Sequence, residues 1–229
     1  GVTGPVRTGK STFIKRFIES AVLPRMEGEY ERTQLRDELP QSAGGRTVMT
    51  AEPKFIPDEA ASVVLPSGGT LKMKMIDCVG YLVPSALGAE ENGEVRMVHT
   101  PWDETPKPFE EAAEEGTRRV IRDHSTIGVL VTSDGSFGDI ARDDFVDAEE
   151  RVARELRESG KPFVVVVNSA HPDSPEAEAL ALELEAKYDV PAALVDCTRL
   201  DEEDVLGILE LVLSDFPVRE ISVNYPEWV

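Results

Sequence analysis

The sequence has little positive charge and no long hydrophobic run. Its 24 lysines and arginines are outnumbered by 44 aspartates and glutamates among 229 residues, which gives a net charge of −20 at pH 7. Such a surface repels nucleic acid and anionic lipid, so binding to either would need a concentrated basic patch, and none is evident. No apolar run approaches the roughly 20 residues of a membrane span, and no signal peptide is visible.

Cysteine and histidine are also scarce. The two cysteines, Cys78 and Cys197, each lie in an apolar, strand-like stretch. This placement indicates buried core thiols in a reducing cytosol rather than a metal site or a catalytic pair. The three histidines are too scattered for a ligand cluster. What remains, with 41% hydrophobic and 30% charged residues, is the composition of an ordinary globular protein.

Residues 4–11 match the pattern of a phosphate-binding loop, which requires two glycines, a lysine and a hydroxyl at fixed spacing. The glycines let the backbone turn its N–H groups toward phosphate oxygens. Lys10 is expected to reach the β- and γ-phosphates, and Ser11 to offer its hydroxyl to Mg²⁺. A glycine-rich turn without function is the alternative. The predicted phosphate-binding residues are Gly4, Pro5, Val6, Arg7, Thr8, Gly9, Lys10, Ser11 and Thr12.

Helical and strand patterns alternate along the whole chain, which predicts an α/β fold with a mostly parallel sheet and helices on both faces. Buried strands are predicted at residues 61–65, 71–79, 127–132, 162–168 and 192–197, the first two joined as a hairpin. Helices are predicted over residues 11–21, 109–123, 143–158, from Ser174 as N-cap onward, and 201–214. Residues 27–57 form a polar stretch, and residues 81–108 are predicted to be a long loop.

The length indicates one principal domain. We place it at residues 1–216 and interpret residues 217–229 as a linker and the start of a following domain. A phosphate-binding loop normally follows a buried strand, and only three residues precede Gly4. We therefore expect the first strand to be truncated, with Val2 as its last inward residue.

A carboxylate and a glycine follow the strand predicted at residues 71–79. Asp77 and Gly80 form the pattern Asp-x-x-Gly at the carboxyl end of this strand, where ligands bind in open α/β sheets. In P-loop proteins an acid at this place joins the Mg²⁺ shell, and the glycine N–H meets the γ-phosphate. A plain strand-end turn is the alternative for so short a pattern.

Between these motifs lie two threonines in a segment without periodicity. Switch-type nucleotide hydrolases place a threonine there, which closes over the γ-phosphate and Mg²⁺ in the triphosphate state. We predict this role for Thr50, with Thr47 as the second choice and a plain loop threonine as the alternative.

The segment expected to recognise the base departs from the GTPase pattern. GTPases usually follow this late strand with Asn-Lys-x-Asp, whose aspartate accepts two hydrogen bonds from guanine. Here the segment is Asn168, Ser169, Ala170 and His171, and histidine cannot make that charged bidentate contact. We therefore expect ATP rather than GTP, with Asn168 near the nucleotide.

The group that orients the attacking water is not evident from the sequence. Many Ras-like proteins carry glutamine directly after the Asp-x-x-Gly pattern, whereas this chain has Tyr81. Another group, for example from a neighbouring subunit, must then position water. Arg7 lies inside the phosphate loop and is a candidate for charge stabilisation of the reaction; a salt bridge to loop acids is the equal alternative.

Several long stretches together resemble the stage IV sporulation protein A family, ATPases that build the basement layer of the bacterial spore coat. These stretches are residues 4–15, 37–43, 49–50, 52–55, 77–81, 124–129 and 138–142. The resemblance covers nearly the whole chain. It implies a fold like that of a translation-factor GTPase and hydrolysis of ATP with Mg²⁺. Lys10, Asp77 and Thr50 match the family's P-loop lysine, Mg²⁺-shell aspartate and sensor threonine.

The resemblance also implies partners and a location. Hydrolysis in the family drives a shape change and irreversible polymerisation on the mother-cell face of the forespore. A small amphipathic peptide helps to anchor the protein to the membrane there, beside other coat proteins. A middle and a C-terminal domain follow the ATPase domain, so self-association is expected to need domains beyond these residues.

Three hypotheses follow, in this order of preference. The first is an ATPase whose cycle drives assembly of a structural layer. The second is a non-catalytic nucleotide-binding scaffold, which the absence of glutamine after Gly80 favours and the set Lys10, Ser11 and Asp77 disfavours. The third is a GTPase-like regulatory switch, which would need the guanine selectivity that His171 speaks against.

Overall fold

The computed structural model describes residues 1–26, 28–40, 52–64, 70–86, 90–91 and 93–214. Its strands are β1 (Val2–Thr3), β2 (Lys54–Val64), β3 (Thr70–Asp77), β4 (Glu90–Glu91), β5 (Glu94–Val95), β6 (Met97–Val98), β7 (Lys107–Pro108), β8 (Gly128–Ser133), β9 (Phe163–Asn168) and β10 (Ala192–Val195). Its α-helices are α1 (Lys10–Phe17), α2 (Glu29–Glu38), α3 (Phe109–Arg119), α4 (Arg142–Glu158), α5 (Pro175–Tyr188) and α6 (Glu202–Ser214). A π-helical turn extends α1 over Ile18–Val22, and another extends α3 over Val120–His124.

The central sheet has six strands in the order β10-β9-β8-β1-β3-β2. All neighbouring pairs are parallel except β2 with β3, which is antiparallel. The chain is therefore an α/β protein with a mostly parallel sheet, as predicted. Because β1 lies in the middle, with Val2 opposite both Asp77 and Val129, the loop after β1 leaves the sheet at its centre.

Helices cover both faces of the sheet, and the valines of β9 show how one strand serves both. Val164 and Val166 pack in the cluster that contains α1 and α6, whereas Val165 and Val167 pack in the cluster that contains α4 and α5. Successive side chains of a strand point to opposite faces, so an unbroken apolar run is the pattern of a strand buried on both sides. The residues of β9 are all buried.

Two segments depart from the sequence predictions. Residues 27–57 were predicted only as a polar stretch, but α2 forms within them and β2 begins at Lys54. Of the residues of α2 only Leu35 is buried, so the helix has almost no apolar periodicity to detect. Within residues 81–108, predicted as a loop, two short antiparallel pairs form, β4 with β5 and β6 with β7.

The other elements agree with the predictions within a few residues. Val64 of β2 pairs with Thr70 of β3, as expected for a hairpin. Ser174 caps α5 by accepting a hydrogen bond from the Ala177 N–H at 3.2 Å. Among the residues described, no helix has both the length and the apolar character needed to cross a membrane. Residues 215–229, which include the whole of the predicted linker and start of a following domain, lie outside the described residues.

Candidate functional site

The loop that joins β1 to α1 depends on its two motif glycines. Gly4 has φ 143° and Gly9 has φ 96°, both in the region that favours glycine. A Cβ on Gly4 would lie 2.1 Å from the carbonyl oxygen of Val131, and one on Gly9 would lie 2.3 Å from Nδ2 of Asn168. Any other residue at Gly4 would therefore push the loop away from β8, and any other residue at Gly9 would push against the Asn168 amide.

Two side chains of this loop donate hydrogen bonds to the carbonyl oxygen of Pro5. The hydroxyl of Thr8 donates a 3.0 Å hydrogen bond to the Pro5 carbonyl, and Nζ of Lys10 donates to the same oxygen. Lys10 is only 5% exposed, and burial lowers the pKa of its ammonium group from the usual value. Arg7 is exposed on the loop with φ 63°. Charge stabilisation during the reaction and a salt bridge to loop acids, the two roles considered for Arg7, both stay predictions.

Ser11 and Asp77 meet directly beneath the loop. The serine hydroxyl donates a 2.6 Å hydrogen bond to Oδ2 of Asp77. The other carboxylate oxygen, Oδ1, is buried and has no hydrogen-bond partner among the described residues. Burial raises the pKa of Asp77, while the Ser11 hydrogen bond and the charge of Lys10 act in the opposite direction. A buried, unpartnered carboxylate oxygen beside a serine oxygen suits a hard cation such as Mg²⁺.

This site does not resemble a metal cage made of protein ligands alone. Among the described residues, no group of three or more histidine, cysteine, aspartate or glutamate side chains is placed to hold a metal ion. Mg²⁺ is usually held by one or two protein groups together with substrate phosphates and water. The pair Ser11 and Asp77 fits that smaller requirement.

Gly80 lies against the phosphate loop. A Cβ on Gly80 would lie 2.0 Å from the Gly4 carbonyl oxygen and 2.8 Å from Nζ of Lys10. Its N–H donates a 3.2 Å hydrogen bond to Oγ1 of Thr117, on α3. Sequence reasoning missed Thr117, because nothing in the local pattern of an acidic helix marks a single threonine as a neighbour of the site.

Tyr81 contacts the loop through its backbone. Its carbonyl oxygen accepts a 2.9 Å hydrogen bond from the N–H of Val6. Its side chain is buried toward α4, where the hydroxyl bonds to Glu155 and the Arg151 guanidinium stacks 3.9 Å from the ring centroid. The residue that replaces the glutamine of Ras-like proteins therefore directs its polar atom to α4.

Asn168 joins the loop to the end of β10. Its Nδ2 donates a 3.0 Å hydrogen bond to the Thr8 carbonyl, and its Oδ1 accepts a 2.9 Å bond from the N–H of Cys197. The sequence predicted that Asn168 lies near the nucleotide, and the structure brings it to the loop. Cys197 was interpreted only as a core thiol. Its position at the carboxyl end of β10, the edge where the loop lies, is the signal that could have found it.

The next residues form a compact turn. The Ser169 side chain is 1% exposed, and its Oγ accepts a 2.9 Å hydrogen bond from the N–H of His171. Thr47 and Thr50, the predicted sensor threonines, lie outside the described residues. The structure thus brings together Lys10, Ser11, Asp77, Gly80 and Asn168 around the loop.

A comparison with protein families decides the identity. Residues 1–217 match the family model described as "Stage IV sporulation protein A, ATPase domain". The chain belongs to the stage IV sporulation protein A family. The resemblance stated from the sequence is thereby confirmed, and the matched region is the family's ATPase domain.

Three named members of the family are similar in sequence to this chain over its full length. Proteins called stage IV sporulation protein A are 54% identical in Bacillus subtilis (strain 168), 51% in Bacillus anthracis and 49% in Clostridioides difficile (strain 630), each over 229 residues. These matches cover 100% of this chain but 46%, 46% and 47% of the relatives. The chain therefore spans about half the length of these curated relatives.

Proposed function

We propose that this chain binds and hydrolyses ATP in a Mg²⁺-dependent reaction at the loop of residues 4–12. The observation that carries the proposal is the hydrogen-bonded pair of Ser11 and Asp77. The Asp77 Oδ1 is buried without a hydrogen-bond partner among the described residues, and the carboxylate lies within the influence of the Lys10 charge. Membership in a family defined by an ATPase domain supports the same conclusion.

Each group has a role that follows from its chemistry. Backbone N–H groups of the loop bind phosphate oxygens, and Lys10 neutralises charge on the β- and γ-phosphates. Because Lys10 is buried with a lowered pKa, a nearby phosphate anion favours its charged form and is itself favoured by it. Ser11 and Asp77 hold Mg²⁺, which supplies positive charge beside the transferred phosphoryl group.

Two further residues complete the proposed chemistry. Thr50 closes over the γ-phosphate and joins the Mg²⁺ shell, and Gly80 gives its N–H to the γ-phosphate. Arg7, on the exposed side of the loop, stabilises the charge that develops during hydrolysis. These roles are supported by the match of this chain to the family and by the position of Gly80 beside Lys10.

The turn after β9 supports a preference for ATP. Guanine selectivity in GTPases depends on a carboxylate that accepts two hydrogen bonds, and His171 replaces it here. The Asn168 amide is engaged on both sides by Thr8 and Cys197, so it shapes the loop. Neither feature favours guanine over adenine.

Phosphate release from ATP and from GTP, each with Mg²⁺, tests the proposal. We expect release from ATP only, reduced about a hundredfold or more by Lys10→Ala and abolished by EDTA. Lys15→Ala, in the last turn of α1, is the matched control and should keep the activity. Faster release from GTP would instead establish the regulatory switch.

A non-catalytic scaffold is the second candidate, and one observation favours it. Tyr81 occupies the usual glutamine position, and its hydroxyl is bonded to Glu155. Binding of ATP to the wild-type protein in the presence of Mg²⁺, without any release of phosphate, would establish this alternative.

For the longer protein, we propose that hydrolysis drives a shape change and polymerisation of the spore coat basement layer. The expected partners are further copies of the protein, a small amphipathic membrane-anchoring peptide and other coat proteins, on the mother-cell face of the forespore. We propose the ATPase domain at residues 1–216, followed at residues 217–229 by a linker and the start of a further domain. Family membership supports these proposals. A sedimentation assay with ATP tests this proposal. We expect the full-length protein to form polymers that pellet, and the full-length Lys10→Ala variant to stay in the supernatant.

A further inference from the structure

Gly80 and Thr117 share one buried hydrogen bond next to the phosphate loop. Thr117 is 0% exposed, and its Oγ1 accepts the Gly80 N–H at 3.2 Å. The same hydroxyl donates its own proton to the Ala113 carbonyl at 2.8 Å. The threonine proton is therefore committed to its own helix, and a lone pair is left to accept from Gly80.

Gly80 lies close to the lysine that is proposed to bind phosphate. Nζ of Lys10 would be 2.8 Å from a Cβ on Gly80, so this backbone is at the edge of the proposed phosphate site. A backbone N–H carries a single proton. It cannot form a full hydrogen bond with Thr117 and with a γ-phosphate at the same time.

Helix α3 packs against the residues around Gly80 and against α4. Its residues Phe109, Ala112 and Ala113 form a buried cluster with Val79 and Leu82, which flank Gly80 and Tyr81. Three residues before Thr117, Glu114 makes a bidentate ion pair with Arg151 of α4, at 2.6 and 2.7 Å. A change in the partner of Gly80 therefore acts directly on α3 and on its attachment to α4.

We propose that Thr117 is a positioning residue that competes with the γ-phosphate of ATP for the N–H of Gly80. Binding of a triphosphate transfers this hydrogen bond from Thr117 to the phosphate and loosens α3, whereas a diphosphate leaves it in place. The inference rests on the proposed ATPase function, and it identifies α3 as the element that responds to the third phosphate.

Two substitutions of Thr117 distinguish the effect of the hydroxyl acceptor from the effect of side-chain shape. Thr117→Val keeps the shape and removes the acceptor, and Thr117→Ser keeps the hydroxyl. Dissociation constants for ADP and for the slowly hydrolysed analogue ATPγS are measured with Mg²⁺ by calorimetry. Without its acceptor, the Gly80 N–H is left unpaired with ADP and is satisfied by ATPγS. We expect Thr117→Val to raise the preference for ATPγS over ADP about fivefold, and Thr117→Ser to leave it at the wild-type value.

Thr33→Val is the matched control. Thr33 makes the same bond to the carbonyl four residues earlier, at 2.9 Å to Glu29, but it is exposed on α2. Its substitution should not change the preference. If Thr117→Val weakens the binding of ADP and ATPγS equally, or leaves the preference between them unchanged, the inference is overturned. The proposed ATPase function of the wild-type protein would not be affected by either result. Wild-type protein that binds neither nucleotide would defeat the proposed function as well.

Hydrogen exchange of the wild-type protein gives a second measurement, which does not depend on the stability of any variant. Amides of Phe109–Arg119 should exchange faster with ATPγS than with ADP. Equal exchange in the two complexes would overturn the inference.

Discussion

The hydroxyl of Tyr81 donates a 2.5 Å hydrogen bond to Oε2 of Glu155, a carboxylate on α4 that is 8% exposed. Burial first, and then the Glu155 carboxylate, raise the pKa of Tyr81 above its ordinary value, so the phenol keeps its proton and acts as the donor. The Arg151 guanidinium lies over the ring. These contacts fix the side chain that follows Gly80 between the phosphate loop and α4.

Replacing Tyr81 with phenylalanine removes the donor to a mostly buried carboxylate. We expect the free energy of unfolding to fall by about 1–3 kcal/mol, measured by urea unfolding. Tyr30→Phe is the control, since Tyr30 is 78% exposed, and its change should stay within about 0.5 kcal/mol. Phosphate release should persist in Tyr81→Phe. Its loss at wild-type stability would instead give the hydroxyl a direct role in orienting water.

Two adjacent glutamates of α4, Glu149 and Glu150, allow the stability contribution of a buried ion pair to be compared with that of an exposed one. Glu149 is 0% exposed and accepts hydrogen bonds from both terminal nitrogens of Arg142 and from the Tyr188 hydroxyl. Glu149→Gln leaves the Arg142 charge without its counter-ion, so we expect a loss of about 3 kcal/mol in the free energy of unfolding. The exposed pair of Glu150 and Lys187 predicts a loss below about 1 kcal/mol for Glu150→Gln. Equal losses would contradict the assignment of Glu149 as the buried anchor.

The ion pair between α3 and α4 predicts a pH dependence. Hydrogen bonds from Arg151 hold the pKa of Glu114 below its ordinary value of 4.5. A group with a lowered folded-state pKa stabilises the fold above the unfolded-state pKa, and this stabilisation is lost as the pH falls through the folded-state value. Since Glu114 is partly exposed, Glu114→Gln should cost only about 0.5–1 kcal/mol at pH 7. The difference from wild type should shrink as the pH falls below the ordinary pKa of 4.5, in urea unfolding at a series of pH values. A difference that is the same at pH 7 and pH 3 or so would rule out this pair as its source.

The Asn168 amide predicts a link between stability and nucleotide affinity. Asn168→Ala leaves the Thr8 carbonyl and the Cys197 N–H without these partners, so we expect about 2 kcal/mol less stability and roughly tenfold weaker ATP binding. Asn168→Asp keeps an acceptor for Cys197 and places a negative charge at the Thr8 carbonyl, so it should also weaken binding. Gln34→Ala removes an exposed amide of α2 and serves as the control. Unchanged ATP affinity in Asn168→Ala would show that the loop keeps its shape without this amide.

Features encoded in a few consecutive residues were predictable from the sequence. The valine run of β9 indicates a strand buried on both faces, and the spacing of Gly4, Gly9 and Lys10 indicates the loop. Serine followed by proline at positions 174 and 175 marks the start of α5. Each of these patterns acts through local geometry, which a single sequence contains.

Features that depend on tertiary contacts were not predictable. Thr117 looks like any threonine of a polar helix until α3 is placed beside Gly80. Tyr81 marks a missing glutamine in the sequence, but its contact with Glu155 spans 74 positions. Helix α2 buries only Leu35, so its sequence lacks the apolar periodicity from which a helix is predicted.

Asn168 completes the phosphate loop from a position 160 residues later in the chain, and its own partner Cys197 is made later still. Synthesis on the ribosome proceeds from the N-terminus. A nascent chain interrupted before β10 therefore carries residues 4–11 and Asn168 but lacks the Cys197 N–H that binds the Asn168 amide. The full set of contacts around the loop therefore forms only after residue 197 has been synthesised.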